Sequence, residues 1–499
     1  RRRKDVYAPG GASGGRPDFA TLVYANRVRE AFPGLPVVLG GVEASLRRFA
    51  YYDPKKAVLR RSILVDSRSD LLVYGPGEQQ ALEIANRLGG GDADLSGIPG
   101  TARLVRTTDA LPPNVVELPP FAELQASPEA LLVVAKALEM SGLPGFEKRM
   151  AQRYEEGTVL AEPRPVTDGN DLDRFYNLPF TRESHPKYDE PIPALETVRW
   201  SVVSHRGCPG GCSFCSLSAL QGRQVISRSS ESVLSEVREL AAHPDFKGTI
   251  TDIGGPTANA YGAVSTNKAA CCSCKRPSCF YPKFCRHVET SHRGLTTLLK
   301  KAAQIPGVKR VLLASGIRHD LALEDPGFIA HVAAHHTGGH VKVAPEHVDA
   351  SVLRRMRKPS IALFERFEHL FKQASGKVQK EQYLVPYVML RAQQHDAEYI
   401  SIQDAKDYLA DDRIVFVVDL NGVQRAYPRD YIWQAHIAGG VFGKDSVVFT
   451  YCVLTNLASP YLNDLDGEPV NFKVLAQTNN NLLIWDTHSG EIIQQITQT

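Results

Sequence analysis

The chain has 499 residues, 43% hydrophobic and 23% charged, which is the composition of an ordinary globular protein with room for about three domains. Its 58 Lys and Arg against 55 Asp and Glu leave a net charge of +3, which excludes a global basic field for nucleic acid. No apolar run is long enough to span a bilayer and none follows the basic residues 1–4, so we predict a cytoplasmic protein that makes no membrane contact.

The first 107 residues alternate strand-like and helix-like segments. A short apolar run at 36–39 is ended by Gly40 and Gly41. Another at 69–75 is followed at Gly77 and Glu78 by a helix with an apolar face, predicted over 79–88. A further strand is predicted over 101–107. This alternation is typical of a parallel α/β sheet, and it predicts a truncated Rossmann-like domain over residues 1–107.

The next two regions differ from each other in composition. Residues 108–195 are rich in proline around one helical patch and are predicted to be a linker. From residue 196 the strand–helix alternation returns, with strands predicted at 199–204, 248–255, 309–315, 340–345 and 381–388. Repeated βα units of this length predict a partial parallel barrel over 196–392, whose chemistry lies at the carboxyl ends of its strands.

Three cysteines, Cys208, Cys212 and Cys215, follow the first of these strands with the spacing C-x3-C-x2-C, in a loop that also holds three glycines. Thiolates this close together can face one polynuclear iron centre and leave one iron open to another ligand. The spacing alone also permits a structural zinc site completed by a remote ligand, or core thiols without metal.

A second group of cysteines lies in the predicted insertion 258–290. Cys274, Cys279 and Cys285 stand among arginines and lysines, whose positive charge favours thiolates. We predict a second metal site here, either an auxiliary cluster or zinc. The alternative is a set of reactive or loosely buried thiols.

The composition and the periodicity of the sequence change again after residue 392. A short helix is predicted at 401–411, followed by β-branched and aromatic segments that are joined by Asn-Gly, Asp-Gly and Ser-Gly turns. Such segments predict an antiparallel, β-rich domain over 399–499.

The loop "RGCPGGCSFCSLSALQGR" resembles the cluster loop of the radical S-adenosylmethionine (SAM) superfamily. Segments such as "GGVEASLRRFAYYD", "DIGGPTANAYG" and "CKRPSCFYPKFCRH" extend the resemblance to the YgiQ-type family within it, over about residues 5–388. Against that family we count five barrel strands where six are expected, and a shortened N-terminal domain. The tail, with "NGVQRAYPRDYI" and "DTHSGEIIQQITQ", resembles an unrelated bacterial β-rich family of unknown function.

The resemblance implies a radical SAM enzyme with a [4Fe–4S] cluster on Cys208, Cys212 and Cys215. SAM would chelate the fourth iron. An electron from a donor such as flavodoxin or ferredoxin would then cleave SAM to methionine and a 5′-deoxyadenosyl radical, which abstracts hydrogen from an unknown substrate. The residues expected to contact SAM are Phe214 at the adenine, Gly254, Gly255 and Pro256 at the amino group, and Ser315 and Glu346 at the ribose and methionyl parts.

Two other functions remain open at this stage. One is a radical SAM enzyme that modifies tRNA or another RNA, although the near-neutral charge gives it no support. The other is a metal-stabilised, non-catalytic binding or scaffold protein whose cysteines hold zinc.

Overall fold

The computed structural model describes residues 5–53, 56–106, 111–378 and 381–388, and a series of strand segments between 415 and 494. The chain divides into two compact units, the first formed by residues 1–343 and 363–385 and the second by residues 344–362 and 386–499.

The helices of the described residues are α1 (Ala20–Ala31), α2 (Gly41–Leu46), α3 (Ile63–Ser67), α4 (Glu78–Gly89), α5 (Phe121–Ala126), α6 (Leu131–Met140), α7 (Gly169–Tyr176), α8 (Pro193–Val198), α9 (Leu217–Gln221), α10 (Ser230–Ala242), α11 (Lys268–Cys272), α12 (Arg293–Ala303), α13 (His319–Ala322), α14 (Pro326–His331), α15 (Ala350–Met356) and α16 (Ile361–Lys377). None of these helices combines the length and the apolar character needed to cross a bilayer.

The strands are β1 (Val38–Leu39), β2 (Tyr51–Asp53), β3 (Val58–Arg60), β4 (Leu71–Val73), β5 (Thr101–Val105), β6 (Val115–Glu117), β7 (Arg149–Tyr154), β8 (Gly157–Ala161), β9 (Ser201–Val203), β10 (His205–Arg206), β11 (Ile226–Ser227), β12 (Thr249–Ile250), β13 (Asp252–Gly254), β14 (Arg310–Val311), β15 (His340–Glu346) and β16 (Tyr383–Val388). The later strands are β17 (Val415–Leu420), β18 (Val423–Pro428), β19 (Ile437–Phe442), β20 (Asp445–Cys452), β21 (Leu457–Leu462), β22 (Asp464–Leu465), β23 (Glu468–Pro469), β24 (Phe472–Thr478), β25 (Asn481–Asp486) and β26 (Ile492–Gln494).

The first unit begins with a six-stranded sheet in the order β1-β4-β5-β8-β7-β6. The predicted parallel pairing is found between β1 and β4, but β5 runs antiparallel to β4, so the prediction of a wholly parallel sheet over 1–107 is wrong. The loop after α4 explains the difference. It returns the chain to the carboxyl end of β4, where the backbone N–H of Tyr74 donates to the carbonyl of Gly100 at 2.9 Å, and β5 leaves from that end.

The predicted linker over 108–195 is also wrong, because three strands of the same sheet lie within it. β6 pairs parallel with β7, and β7 forms an antiparallel hairpin with β8, whose residues Val159, Leu160 and Ala161 are buried. The prolines fall between the strands, where a missing backbone N–H removes no ladder hydrogen bond. A high proline density therefore concealed three short strands.

The parallel strands of the second half follow the sequence prediction closely. β9 pairs parallel with β13, β12 with β14, and Ile317 bridges Val343 of β15, which neighbours β16. α10 and α12 cover these strands, because their apolar residues recur every three or four positions and form one buried face on each helix. The buried residues of these two faces are Val233, Val237, Leu240, Leu295, Leu298 and Leu299. This packing aligns the carboxyl ends of β9 and β13 with the segment that follows β14.

The second unit is rich in strands, as the sequence predicted for its C-terminal part. β17 and β18 form an antiparallel hairpin, and β19-β20-β21 and β24-β25-β26 form antiparallel sheets. Tyr427, Phe442, Val447 and Phe449 form a small core, in which the rings of Tyr427 and Phe449 stack with centroids 4.6 Å apart. The helix predicted at 401–411 lies outside the described residues.

Candidate functional site

The cysteine loop lies between β10 and α9, and its backbone conformation depends on glycine. Gly207 and Gly211 have φ of +82° and +59°, in the left-handed region that side chains disfavour. An added Cβ would overlap the carbonyl oxygen of Gln224 at the first position and that of Pro277 at the second. The loop is thus folded against two other segments more closely than any other residue would allow.

The three thiols of this loop are half-buried and have polar neighbours. The Cys208 sulfur lies 3.2 Å from the Thr257 hydroxyl, and a guanidinium nitrogen of Arg318 lies 3.9 Å from the Cys212 sulfur. Burial alone would lower the pKa of Arg318, but the carboxylate of Asp320 at 2.8 Å and the nearby cysteines outweigh it, and the pKa is raised. The buried guanidinium of Arg318 therefore places a positive charge beside the cysteine loop.

His205 connects the cysteine loop to the glycines at the end of β13. The buried imidazole donates from Nε2 to the carbonyl of Thr257 at 3.1 Å, and its Nδ1 accepts from the hydroxyl of Ser204 at 2.9 Å. Burial lowers the pKa of His205 to about 4, so the ring is neutral near pH 7. An added Cβ on Gly255 would lie 2.6 Å from this ring, so glycine is what allows the strand end to approach it.

Asp252 fixes the geometry of the predicted SAM-side residues. Its Oδ1 accepts from the backbone N–H groups of Ala314 at 2.8 Å and Ser315 at 3.1 Å, and its Oδ2 accepts from the Ser315 hydroxyl. An added Cβ on Gly254 would lie 2.6 Å from both Asp252 Oδ2 and Ser315 Oγ. The end of β13 and the segment after β14 are therefore held together by one carboxylate.

A cavity of about 1090 Å³ opens beside these strand ends. On the side of the parallel strands it is lined by Gly254, Gly255, Pro256, Ser315, His205 and Asp252. On the side of the N-terminal sheet it is lined by Leu39, Gly40, Gly41, Gly75, Gly77, Glu78, Ala81 and Ile84. Glu78 also pairs with Arg206 at 2.6 Å, which joins α4 to β10.

The structure brings together four of the six residues expected to contact SAM, namely Gly254, Gly255, Pro256 and Ser315. The three cysteines do not line the cavity, and one of them, Cys208, connects to it through the hydrogen bonds of Thr257 and His205. Phe214 lies in the cysteine loop with 37% of its surface exposed and does not line the cavity.

Glu346, the remaining residue of the predicted set, ends β15 in the second unit. It is buried and has φ of +72°, an unusual conformation for a residue other than glycine. Its Oε2 has no hydrogen-bond partner among the described residues. Burial raises the pKa of this carboxyl group, against the opposing charge of Lys358. A buried carboxylate with one oxygen lacking a hydrogen bond, on a backbone with positive φ, is typical of residues that meet a ligand.

The predicted second set, Cys274, Cys279 and Cys285, lies in the segment that follows α11, and this segment contacts the first loop directly. The backbone N–H of Cys279 donates to the carbonyl of Pro209 at 2.9 Å, and the Ser278 hydroxyl donates to that of Gly210 at 2.6 Å. Two regions about seventy residues apart in sequence thus form one structure, while the metal itself stays a prediction.

One further group could in principle hold a metal ion. Among the residues that the structure describes, only Glu183, His243 and Asp245 place three ligand atoms within 4.8 Å of one another. The guanidinium of Arg199 already pairs with both Glu183 and Asp245. This group is an ion-pair cluster with its own cation.

Four residues of the site, His205, Asp252, Thr257 and Arg318, were not predicted from the sequence. Each is a polar residue within a few positions of a glycine or a cysteine at a strand end, and that proximity is the one signal that could have selected them. The contacts that bring them into the site span 49 or more positions in sequence, for example from Thr257 to Cys208 and from Arg318 to Cys212, so spacing alone could not reveal the pairs.

Comparison with known proteins supports both resemblances. Residues 1–201 match the family model described as Radical SAM N-terminal, and residues 392–499 match a model described as a protein of unknown function, DUF3179. The chain is 43% identical over 392 residues to a UPF0313 protein of Geobacter sulfurreducens, covering 78% of this chain and 65% of the relative. It is 39% identical over 427 residues to a UPF0313 protein of Methanosarcina mazei, covering 78% and 68%.

Other relatives are longer still, and the chain spans 56% of a UPF0313 protein of Methanosarcina acetivorans to which it is 40% identical over 416 residues. The chain thus covers between about half and two thirds of the length of these curated relatives. Among solved structures, it is similar to the radical SAM methyltransferase TsrM of Kitasatospora setae, described with tryptophan and a SAM analogue bound. The sequence identity is 16% and the TM-score is 0.42, over 78% of this chain and 56% of the other.

Proposed function

Because the chain belongs to the UPF0313 family, we propose that it is a radical SAM iron–sulfur enzyme. Its parallel strands would be a partial radical SAM barrel, and Cys208, Cys212 and Cys215 would hold a [4Fe–4S] cluster. The observation that carries the proposal is the hydrogen-bonded path from the Cys208 sulfur through Thr257 to His205, a residue of the glycine-lined cavity.

The donor set fits such a cluster. Three half-buried thiols in one loop provide three ligands, and the buried guanidinium of Arg318 compensates the negative charge of the thiolates. When bound, the cluster supplies the electron that cleaves SAM and so yields the 5′-deoxyadenosyl radical that takes hydrogen from the substrate.

The surrounding residues have supporting roles in this proposal. Gly254 and Gly255 would let the backbone come close to SAM, since a side chain at either position would collide with Ser315 or His205. Asp252 holds the Ser315 hydroxyl in one orientation. Neutral His205 positions Thr257 against Cys208 and brings no charge to the cavity. The electron would come from a partner such as flavodoxin or ferredoxin in the cytoplasm, and the substrate stays open.

The experiment is anaerobic turnover of the full chain. The protein is reconstituted with iron and sulfide, reduced with dithionite, mixed with SAM and assayed for 5′-deoxyadenosine. We expect the product from the wild type and none from the variant Cys208→Ala/Cys212→Ala/Cys215→Ala. The exposed Cys272 supplies a matched control, and Cys272→Ala should retain activity.

Other results would contradict the proposal in recognisable ways. A wild-type protein that binds a cluster in this loop but never forms 5′-deoxyadenosine would not be a SAM-cleaving enzyme. Zinc in place of iron in the first loop would instead indicate the metal-stabilised scaffold. If 5′-deoxyadenosine forms only when an RNA is added, the substrate is RNA and the protein is the RNA-modifying enzyme of the alternative.

A further inference from the structure

The large cavity beside β13 has two halves of different chemical character. One half is lined by the end of β13 and the segment after β14, where Asp252, Ser315 and His205 provide polar groups. The other, the apolar half, is lined by the end of β1 and by the helices α2, α4 and α9. The cavity volume of about 1090 Å³ exceeds the roughly 300–1000 Å³ that holds one small-molecule ligand, which leaves room for a second molecule beside the proposed SAM site.

Several apolar side chains that line the apolar half remain exposed. Val42 of α2 has 60% of its surface exposed, and Val38 of β1 and Leu88 of α4 have 38% and 37% exposed. Leu217 and Leu220 of α9, the helix that follows the cysteine loop, belong to the same lining. Exposed apolar side chains in a concave site indicate a ligand that covers them, because their contact with water costs free energy.

Small residues keep the apolar half open. Nothing lies within 4 Å of a Cβ added to Gly40 or Gly41, so the space that a side chain would fill at the end of β1 is empty. On α4, Ala81 and Ala85 are exposed one turn apart and also line the cavity. Four positions with little or no side chain therefore leave space for a ring or a chain of a ligand.

The polar side chains of the apolar half already have partners. Glu78 forms an ion pair with Arg206 at 2.6 Å. Burial alone would raise the pKa of this carboxyl group, but Arg206 outweighs it and lowers the pKa, so the carboxylate stays ionised and the pair is neutral overall. The Ser45 hydroxyl donates to the carbonyl of Gly41 at 2.7 Å and accepts from the N–H of Gly75 at 3.0 Å. A charged ligand would find no unpaired opposite charge among the described residues of this half, and its desolvation would cost free energy.

We propose that the apolar half binds the substrate of the radical reaction and that this substrate presents an uncharged, apolar carbon skeleton to it. The two halves adjoin each other, since Val203 of β9 pairs with Gly254 of β13 and both residues line the cavity. The role as substrate site rests on the proposed function, whereas the preference for an uncharged, apolar ligand rests on the lining residues alone.

Two related probes test the ligand preference. N-Phenyl-1-naphthylamine is uncharged, and 8-anilino-1-naphthalenesulfonate has the same aromatic skeleton with an added sulfonate group. Binding of each probe to the full-length reconstituted protein is measured by equilibrium dialysis, with and without saturating SAM. We expect about one molecule of N-phenyl-1-naphthylamine per chain, bound at least about tenfold more tightly than the sulfonate and not displaced by SAM.

Two substitutions in α4 locate the site of binding. Ala85→Glu places a carboxylate at an exposed position that lines the cavity, and it should weaken the binding of N-phenyl-1-naphthylamine by about tenfold or more. Leu82→Glu is the matched control, because Leu82 is exposed on the same helix and does not line the cavity, and it should keep the affinity of the wild type. Both side chains are exposed, so neither substitution removes core packing.

The outcomes separate this inference from the proposed function. Equal binding of N-phenyl-1-naphthylamine to the two variants would overturn the assigned site, equal affinity for the two probes would overturn the preference for an uncharged ligand, and displacement by SAM would overturn the division into two halves. If 5′-deoxyadenosine forms but the uncharged probe does not bind the apolar half, the proposed function stands and this inference is wrong. If the probe binds as expected but no 5′-deoxyadenosine forms, the apolar site stands and its role as substrate site fails with the proposed function.

Discussion

The hydroxyl of Thr257 lies 3.2 Å from the sulfur of Cys208, and this contact joins the segment after β13 to the cysteine loop. The carbonyl of the same threonine accepts from His205, which lies against Gly255. One residue outside both motifs therefore connects the proposed cluster ligands to the cavity. Its removal should alter the electronic properties of the cluster without removing a ligand.

Thr257→Val should make the first-loop cluster harder to reduce. A hydroxyl that donates to a thiolate sulfur stabilises the extra electron, and valine of similar size cannot donate. We expect a more negative midpoint potential for the cluster signal that disappears in the variant lacking Cys208, Cys212 and Cys215, measured by redox titration monitored by electron paramagnetic resonance. Thr266→Val is the control, because its exposed hydroxyl donates to the carbonyl of His287 instead. An unchanged midpoint potential in Thr257→Val would show that the Thr257 hydroxyl does not donate to the Cys208 sulfur.

Gly255→Ala should weaken SAM binding by about tenfold or more. The added methyl group would lie 2.6 Å from the His205 ring, so the end of β13 has to move away from the position that the proposed SAM site requires. If restoring that position costs about 1–3 kcal/mol, the affinity falls by about tenfold or more. Equilibrium binding of SAM to the reconstituted protein measures the effect. Gly316→Ala is the matched control, since nothing lies within 4 Å of its added Cβ and its affinity should be that of the wild type. Equal SAM affinity in the two variants would show that Gly255 is not part of the SAM site.

Glu236→Ala should destabilise the first unit by about 3–5 kcal/mol. Arg228 is fully buried, donates to the carbonyl of Val203 in β9 at 2.8 Å and pairs with Glu236, so removing the carboxylate leaves a buried cation without its charge partner. In the same helix, Glu231 pairs with Arg238 on the surface at 2.9 Å, and Glu231→Ala should cost less than about 1 kcal/mol. Urea unfolding followed by circular dichroism compares the two. Similar losses in both variants would contradict this account of the buried pair.

Acid should destabilise the protein partly through His205. Its pKa is about 4 in the folded protein and near 6.5 when unfolded, so between these values the unfolded chain binds more protons. Stability therefore falls as pH drops from about 6.5 to 4, by on the order of 3 kcal/mol from this residue. Buried His292, with a pKa also lowered to about 4, acts in the same direction.

The contribution of His205 can be isolated by its substitution. Urea midpoints measured between about pH 4.5 and 7.5 should fall less steeply with acid in His205→Gln than in the wild type. Exposed His185 supplies the control, and His185→Gln should keep the wild-type slope. A slope that is unchanged in His205→Gln would show that its ring is not neutral and buried as described.

Local patterns predicted much of the first unit. The amphipathic spacing in α10 and α12 and the apolar runs of β9, β13 and β15 identified elements that the structure contains, because each is specified within its own segment. Strand direction was not specified in this way. Whether β5 runs with or against β4 depends on where the loop after α4 returns, and that is decided by bonds to distant residues such as Pro163.

The residues of the candidate site likewise fall into those that the sequence predicted and those that it did not. The cysteines and glycines were recognised because their spacing is itself the signal. His205, Asp252 and Thr257 were not, because their importance arises from partners brought together by the fold.

The docking of Ser278 and Cys279 on Pro209 and Gly210 also has a consequence for how the protein matures. The first cysteine loop includes Gly211, whose left-handed backbone is packed against the carbonyl of Pro277, a residue that the ribosome adds 66 positions later. Until that later segment has emerged and folded back, the loop lacks the surface that shapes it. Iron delivered before this point would meet three mobile thiols with no fixed arrangement. Cofactor insertion should therefore be late, following closure of a long chain segment rather than local folding of the motif.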